Sequence, residues 1–229
     1  MTRDHSYTVK QYDFKHSSLE GLKQLFLNIQ EREGERREPT IEDLVRLHQE
    51  LALPALLFHT SGYASKYRKP DKVSFIAKEQ STGNVVGALR VMPLETYVSL
   101  YAPNNAKLRK TLQSGATKMF ALGSASHITL YAPPFRETAI VRETPSAKIT
   151  KALITHAIGK RSNPLRDWLD DFCVHPSIVI DIPARDLNKR GVLENEYEFI
   201  TFAEVHPHTG EPNTTEDRIC WYYKRTRDW

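Results

Sequence analysis

A chain of 229 residues can bury a substantial core without help from metals or disulfides. Its 40% apolar and 26% charged residues exclude a disordered or fibrous polymer. A net charge of +4 suits an anionic ligand such as a nucleotide-bearing cofactor, but it is too mild to name one. No apolar run approaches the roughly 18 residues of a membrane span. Residues 1–8 lack the apolar core of a secretory signal, and Cys173 and Cys220 are too few for a disulfide framework, so a cytoplasmic protein is expected.

In chain order, alternation over 7–14 predicts a first strand. Ser17 and Glu20 have the spacing of a capping box. Leu19, Leu22, Leu25, Phe26 and Ile29 then predict a helix over 18–30. After the charged run 31–38, Thr40 and Asp43 open a second helix whose buried face is Ile41, Leu44, Leu47 and Leu51. A basic, proline-containing linker covers 66–72. Two β-rich runs, 73–80 and 85–92, flank the turn Ser81-Thr-Gly-Asn84 and read as a hairpin. Within 95–133 a basic helix over 105–113 and a strand over 127–131 are expected. Residues 135–142 read as a strand. A helix follows, with Pro145 in its first turn and Ile149, Ala152, Leu153, His156 and Ala157 on its apolar stripe. A buried strand over 177–182, a helix over 185–196 and strands over 199–205 and 219–224 complete the chain.

A helix between two strands implies a parallel pair, whereas hairpins must be antiparallel. The expected class is therefore α/β (α+β): one domain over 1–229, with a mixed, mostly antiparallel sheet and helices on both faces.

Two stretches carry a family resemblance. Phe75-Ile-Ala-Lys-Glu-Gln-Ser-Thr-Gly-Asn-Val-Val-Gly-Ala-Leu-Arg-Val91 is similar to the central hairpin of the Gcn5-related N-acetyltransferases (GNAT), with its second strand of the form V-V-G-x-L-R. Asn188, Gly191 and Phe199 stand at the intervals of that family's asparagine, small residue and phenylalanine after the fifth strand. The match in residues covers about thirty positions, and the order of elements covers nearly the whole chain. The resemblance implies acyl transfer from acetyl-CoA or another acyl-CoA to an amine acceptor.

That chemistry needs a helix N-terminus for the pyrophosphate, where free amides and the positive dipole end meet the anion. The resemblance places it at 142–150. There the family's spaced glycines are missing, and Arg142, Thr144, Ser146, Lys148 and Thr150 offer charge and hydroxyls instead. The cofactor-binding expectation comprises Ile140, Val141, Arg142, Thr144, Ser146, Ala147, Lys148, Ile149, Thr150 and Asn188, with a backbone amide around 140–142 polarising the thioester carbonyl. The glycine-poor junction leaves open a changed cofactor mode, an acyl-carrier-protein donor or no cofactor, and it is similar to that of the acyl-homoserine-lactone synthases. Glu137 is the candidate base, or else a solvated strand-edge acid. The family's tyrosine six residues after the asparagine is here Glu194, and Tyr197 lies three further on. These two complete the catalytic candidates.

No metal site is expected: His206 and His208 sit in a turn-rich loop, and Cys173 and His175 carry no nucleophile signature. Two other classes compete. Tyr63, Lys66, Tyr67, Arg68, Lys69 and Lys72 interleave rings with charge, as a nucleic-acid-binding patch does, and Lys107, Arg109, Lys110 and Lys118 add charge without rings. Glu196-Tyr-Glu198, with Arg90, Ser124 and Ser126 upstream, loosely resembles an ADP-ribosyltransferase using NAD.

Overall fold

The computed structural model describes residues 6–30, 37–60, 74–102, 104–116, 125–132, 144–158, 177–215 and 217–225. Seven strands form a mixed sheet in the order β1-β2-β3-β4-β5-β7-β6. They are β1 Tyr7–Gln11, β2 Ser74–Glu79, β3 Val85–Pro93, β4 Ala125–Tyr131, β5 Ser177–Pro183, β6 Ile200–Val205 and β7 Ile219–Arg225. The β4–β5 pair is parallel, while β1–β2, β2–β3, β5–β7 and β6–β7 are antiparallel. The helices among the described residues are α1 Lys23–Gln30, α2 Ile41–Thr60, α3 Leu94–Tyr101, α4 Ala106–Ala116, α5 Pro145–Ile158 and α6 Leu187–Gly191. The expected mixed, mostly antiparallel sheet is thus the observed one.

The chain divides into two compact units, Met1–Arg90 with Leu130–Leu165, and Val91–Thr129 with Arg166–Trp229. The first is organised by the predicted hairpin. Gly83 takes φ +73 in its turn, a region only glycine enters without strain. Phe75 pairs with Leu89 and Ile76 with Ala88, so the alternation sends each pair to an opposite face. On one side Ile76 and Ala88 join Leu22, Leu25, Leu44, Leu47 and Leu51 of the α1 and α2 region in one apolar cluster. On the other side lies α5, where the His156 ring meets the Phe75 ring edge-on at 5.3 Å. Gly87 makes that seat possible: a Cβ there would lie 2.4 Å from Ile149 Cγ2 and 3.0 Å from the Tyr131 carbonyl oxygen. Helices therefore cover both faces of the hairpin.

Several local expectations are corrected. The first strand stops at Gln11, and the next residue, Tyr12, turns into the core at 3% exposure. Ser17 and Glu20 form no capping box. The chain enters α1 through a 3₁₀ turn over Glu20–Leu22 that no side chain caps, with the Leu22 amide donating to the Leu19 carbonyl. The second capping box does form. The Thr40 amide donates to Asp43 Oδ2 at 2.8 Å and the Asp43 amide to Thr40 Oγ1 at 3.2 Å. Ile41 is 76% exposed rather than buried, because this first turn precedes the point where α2 reaches the core. Residues 135–142, expected as the fourth strand, lie outside the described residues; the strand parallel to β5 is Ala125–Tyr131.

In the second unit, Leu94 and Val98 of α3 and Leu112 of α4 pack on Ala125, Val179, Val205 and Trp221. Each of these leucines and valines contributes about 1.5–3 kcal/mol by leaving water. The helix expected over 185–196 is an α-helical turn, Leu187–Gly191, that widens into a π turn over Val192–Glu196.

Two outcomes follow. Gly87→Ala destabilises by about 1–3 kcal/mol through overpacking, read from urea unfolding, while Gly21→Ala, with nothing within 4 Å, stays within about 0.5 kcal/mol. Asp43 is held well below the usual carboxylate range, first by the Arg37 guanidinium and then by the Thr40 amide and hydroxyl. A depressed folded pKa stabilises above the unfolded value near 3.9 and ceases to as pH falls through the folded one. The stability deficit of Asp43→Asn is therefore level above pH ~4 and closes below it, which unfolding midpoints measured against pH will show.

Candidate functional site

The first turn of α5 follows from Pro145 at its opening position and from Thr144 before it. Thr144 Oγ1 accepts the Ala147 amide at 3.1 Å, and the Thr144 carbonyl accepts the Lys148 amide at 2.9 Å. Two of the amides expected for an anion are thus already taken by the chain. Ser146 and Thr150, 3% and 0% exposed, have side-chain hydroxyls with no hydrogen-bond partner among the described residues. They stand four residues apart on one side of the helix. A buried hydroxyl left unpaired costs about 1–3 kcal/mol. Ala147 and Ile149 are buried beside them, and Lys148 is half-buried.

A second polar cluster lies on α6, its π turn and β7. Asp186 caps α6 by accepting the Lys189 amide at 3.2 Å and also takes the Lys189 ammonium, a buried ion pair. Asn188 is 4% exposed, and its Nδ2 has no partner among the described residues. Arg190 Nε donates to the Tyr222 hydroxyl at 2.7 Å, and that hydroxyl donates to Glu194 Oε1 at 2.6 Å. Burial, then the Glu194 carboxylate, raise the Tyr222 pKa far above the ordinary phenol value, so the hydroxyl stays a donor. Tyr197 ends the π turn, its carbonyl accepting the Lys224 ammonium.

The second unit also holds a pocket of about 830 Å³ between α3, the 205–209 loop and β7. Asp181 of β5 lines it, with its Oδ1 on the Nε2 of the fully buried His127 at 2.7 Å. The Tyr97 ring stacks on the His127 ring at 3.5 Å, and the Tyr97 hydroxyl lies 3.4 Å from Asp181 Oδ2. Trp221 forms another wall; it is 3% exposed, and its indole Nε1 has no partner among the described residues. Asp181 is the first β5 residue beyond Ile128↔Ile180, the last pair of the β4–β5 ladder.

Of the expected site residues, Thr144, Ser146, Ala147, Lys148, Ile149 and Thr150 are gathered on α5, whereas Glu137, Ile140, Val141 and Arg142 lie outside the described residues. Asn188, Glu194 and Tyr197 belong to the second cluster, where Glu194 is bound to Tyr222 and Arg190. Patch 63–72, Cys173, His175 and Lys118 also lie outside the described residues. Arg90 is 1% exposed and donates to the Glu50 carbonyl, a core role. Glu198 is a surface residue at φ +54, and the Ser124 position and the Ser126 side chain are not described. His206 Nδ1 accepts the His208 and Thr209 amides at 3.3 Å, shaping the turn. No helix among the described residues is long and apolar enough to cross a membrane.

Sequence reading missed His127, Asp181, Tyr97 and Trp221. The signal was a single ionisable residue inside each of two apolar strands, 125–131 and 177–183, since a buried ionisable group needs a partner. Tyr222→Phe removes the link between Arg190 and Glu194, and a loss of about 1–3 kcal/mol in unfolding free energy is expected.

No family model matches the sequence, and no curated protein matches it. Solved structures do. The yncA protein of Salmonella typhimurium, solved with its cofactor acetyl-CoA, superposes with a TM-score of 0.51 at 10% identity, covering 96% of this chain and 94% of that one. The ribosomal-protein-S5-alanine acetyltransferase of Vibrio fischeri gives 0.50 at 11% identity over 100% and 97%. Mosquito arylalkylamine N-acetyltransferase like 5b gives 0.50 at 12% over 96% and 100%. The seven-strand order and these likenesses over nearly the full length establish that the chain has the GNAT fold.

Proposed function

We propose that the chain is a cytoplasmic acyltransferase, moving an acyl group from a coenzyme A thioester to an amine within one catalytic domain over 1–229. The observation that carries this reading is the pair of buried, unpaired hydroxyls on Ser146 and Thr150 at the start of α5. The donor set fits the cofactor, because phosphate oxygens are acceptors and these two hydroxyls are donors lacking one. The half-buried Lys148 adds positive charge on the same turn, and Arg142 is the further cation the sequence offers. The helix dipole of α5 works in the same direction. Likeness to yncA, a protein solved with acetyl-CoA, supports the choice of cofactor.

When bound, coenzyme A supplies an acyl carbon activated as a thioester. The residues of this chain hold and orient it, and they take up the proton that the attacking amine gives away. Glu137 is the sequence's candidate for that proton. The Tyr222 hydroxyl, held between Arg190 and Glu194, is a proton donor that stays protonated at neutral pH. Asn188 Nδ2 is a further donor lacking an acceptor, consistent with the cofactor role its place after β5 implies.

Thermal shift with acetyl-CoA, free coenzyme A, NAD and a nucleic-acid pool tests the reading. The two coenzyme A compounds raise the melting temperature, and NAD and nucleic acid do not. Thr150→Val makes a crossed prediction. Removing an unpaired buried hydroxyl raises the melting temperature of the free protein, while affinity for coenzyme A falls about tenfold, the size of one hydrogen bond to a charged group. Indifference to every coenzyme A compound rejects the assignment.

A further inference from the structure

We infer that the opening of α5 receives a single phosphate, so that the donor this chain reads is an acyl-phosphopantetheine. The adenylate half of coenzyme A then adds nothing to binding. This rests on the function proposed above and names the part of the donor that is recognised.

The first turn has few donors to give. An α-helix ordinarily presents free backbone amides there, and with the positive end of the dipole they hold phosphate groups. In α5 that turn is residues 145–147. Pro145 has no amide proton. The Ala147 amide is committed to Thr144 Oγ1 at 3.1 Å, and the next one, that of Lys148, to the Thr144 carbonyl at 2.9 Å. Within the turn, Ser146 alone keeps a backbone donor for a ligand among the described residues. The same residue is 3% exposed, and its hydroxyl has no partner among the described residues. Thr150, one turn further on and 0% exposed, repeats the pattern. One amide and two hydroxyls match the terminal oxygens of one phosphate monoester. A diphosphate brings a second set of acceptors, for which this turn has no donor left.

Charge and backbone shape agree with that count. Lys148 is the only charged residue in 144–150, a single cation for a single phosphate. No glycine stands in 142–150, so each residue carries a Cβ that keeps the backbone from folding around a second anion. The threonine cap, which stabilises the helix, uses an amide that a larger anion would need.

Phosphopantetheine occurs as part of coenzyme A and as the prosthetic arm of an acyl carrier protein. Both present the same phosphate, so the source is decided by experiment. Isothermal titration of the full chain with coenzyme A, 4′-phosphopantetheine, pantetheine and adenosine 3′,5′-bisphosphate tests the inference. Coenzyme A and phosphopantetheine bind within about threefold of each other. Pantetheine, which lacks the phosphate, binds about tenfold more weakly, and the bisphosphate, which carries the second phosphate, gives no heat. Ser146→Ala keeps the helix, since alanine is the stronger helix former, and weakens coenzyme A and phosphopantetheine by the same factor of about ten. Displacement of phosphopantetheine by holo-acyl carrier protein, and not by its apo form, assigns the arm to a carrier; no displacement assigns it to coenzyme A. Coenzyme A about tenfold tighter than phosphopantetheine, pantetheine equal to phosphopantetheine, or heat from the bisphosphate overturns the inference and leaves acyl transfer from coenzyme A standing. Absence of heat with both coenzyme A and phosphopantetheine removes the donor assignment itself.

Discussion

The close approach of α5 to β3 at Gly87 is the constraint on which the rest of the first unit depends. A helix whose Ile149 methyl occupies the volume of a missing Cβ sits closer to the strand than any residue with a side chain at position 87 would allow. The parallel β4–β5 pair requires a long crossover, and α5 lies in that connection. Helical spacing puts Ser146 and Thr150 on the same stripe as Ile149 and Leu153, so the seat that locks the helix also carries their hydroxyls out of water. The orphaned donors are therefore a consequence of packing. They persist because the apolar neighbours on that stripe outweigh their desolvation.

The second unit handles buried charge differently. Lys189 and Asp186 neutralise one another within one turn of α6, and His127 fixes Asp181 across two strands. A sealed ion pair such as Lys189–Asp186 contributes little net stability, because desolvation offsets most of its attraction, yet losing one partner costs about 3–5 kcal/mol. Both pairs define a geometry more than they strengthen it. The distinction between them is exposure: the Lys189–Asp186 pair is sealed, whereas Asp181 keeps one edge open to a cavity.

The sequence made the hairpin readable because two β-rich runs flank a glycine turn, and α5 because its stripe, its proline and its neighbours agree. Asn188 and Gly87 were visible as motif positions, but why Gly87 must be glycine was not, since the reason lies in a helix sixty residues away. Leu94–Tyr101 escaped notice because aromatic and β-branched residues give it the composition of a strand; only Leu94 and Val98, four apart and both buried, betray the helix. Ser17 and Glu20 had the right letters for a cap, but the chain tightens into a 3₁₀ turn there. His127 and Asp181 are far apart in sequence, and no pattern along one strand announces that the neighbouring strand in the sheet carries its partner.

The π turn over Val192–Glu196 has a consequence for reading motifs by number. An α-helix converts a count of residues into an angle, and an interval such as that from Asn188 to Glu194 has meaning only while that conversion holds. A wider turn absorbs extra chain without matching rotation. Beyond Val192 each side chain lags the bearing its number would assign, so ordinal correspondence with a regular helix and directional correspondence part company there. Glu194 inherits a tyrosine's place in the count while its carboxylate answers to Tyr222 on another strand.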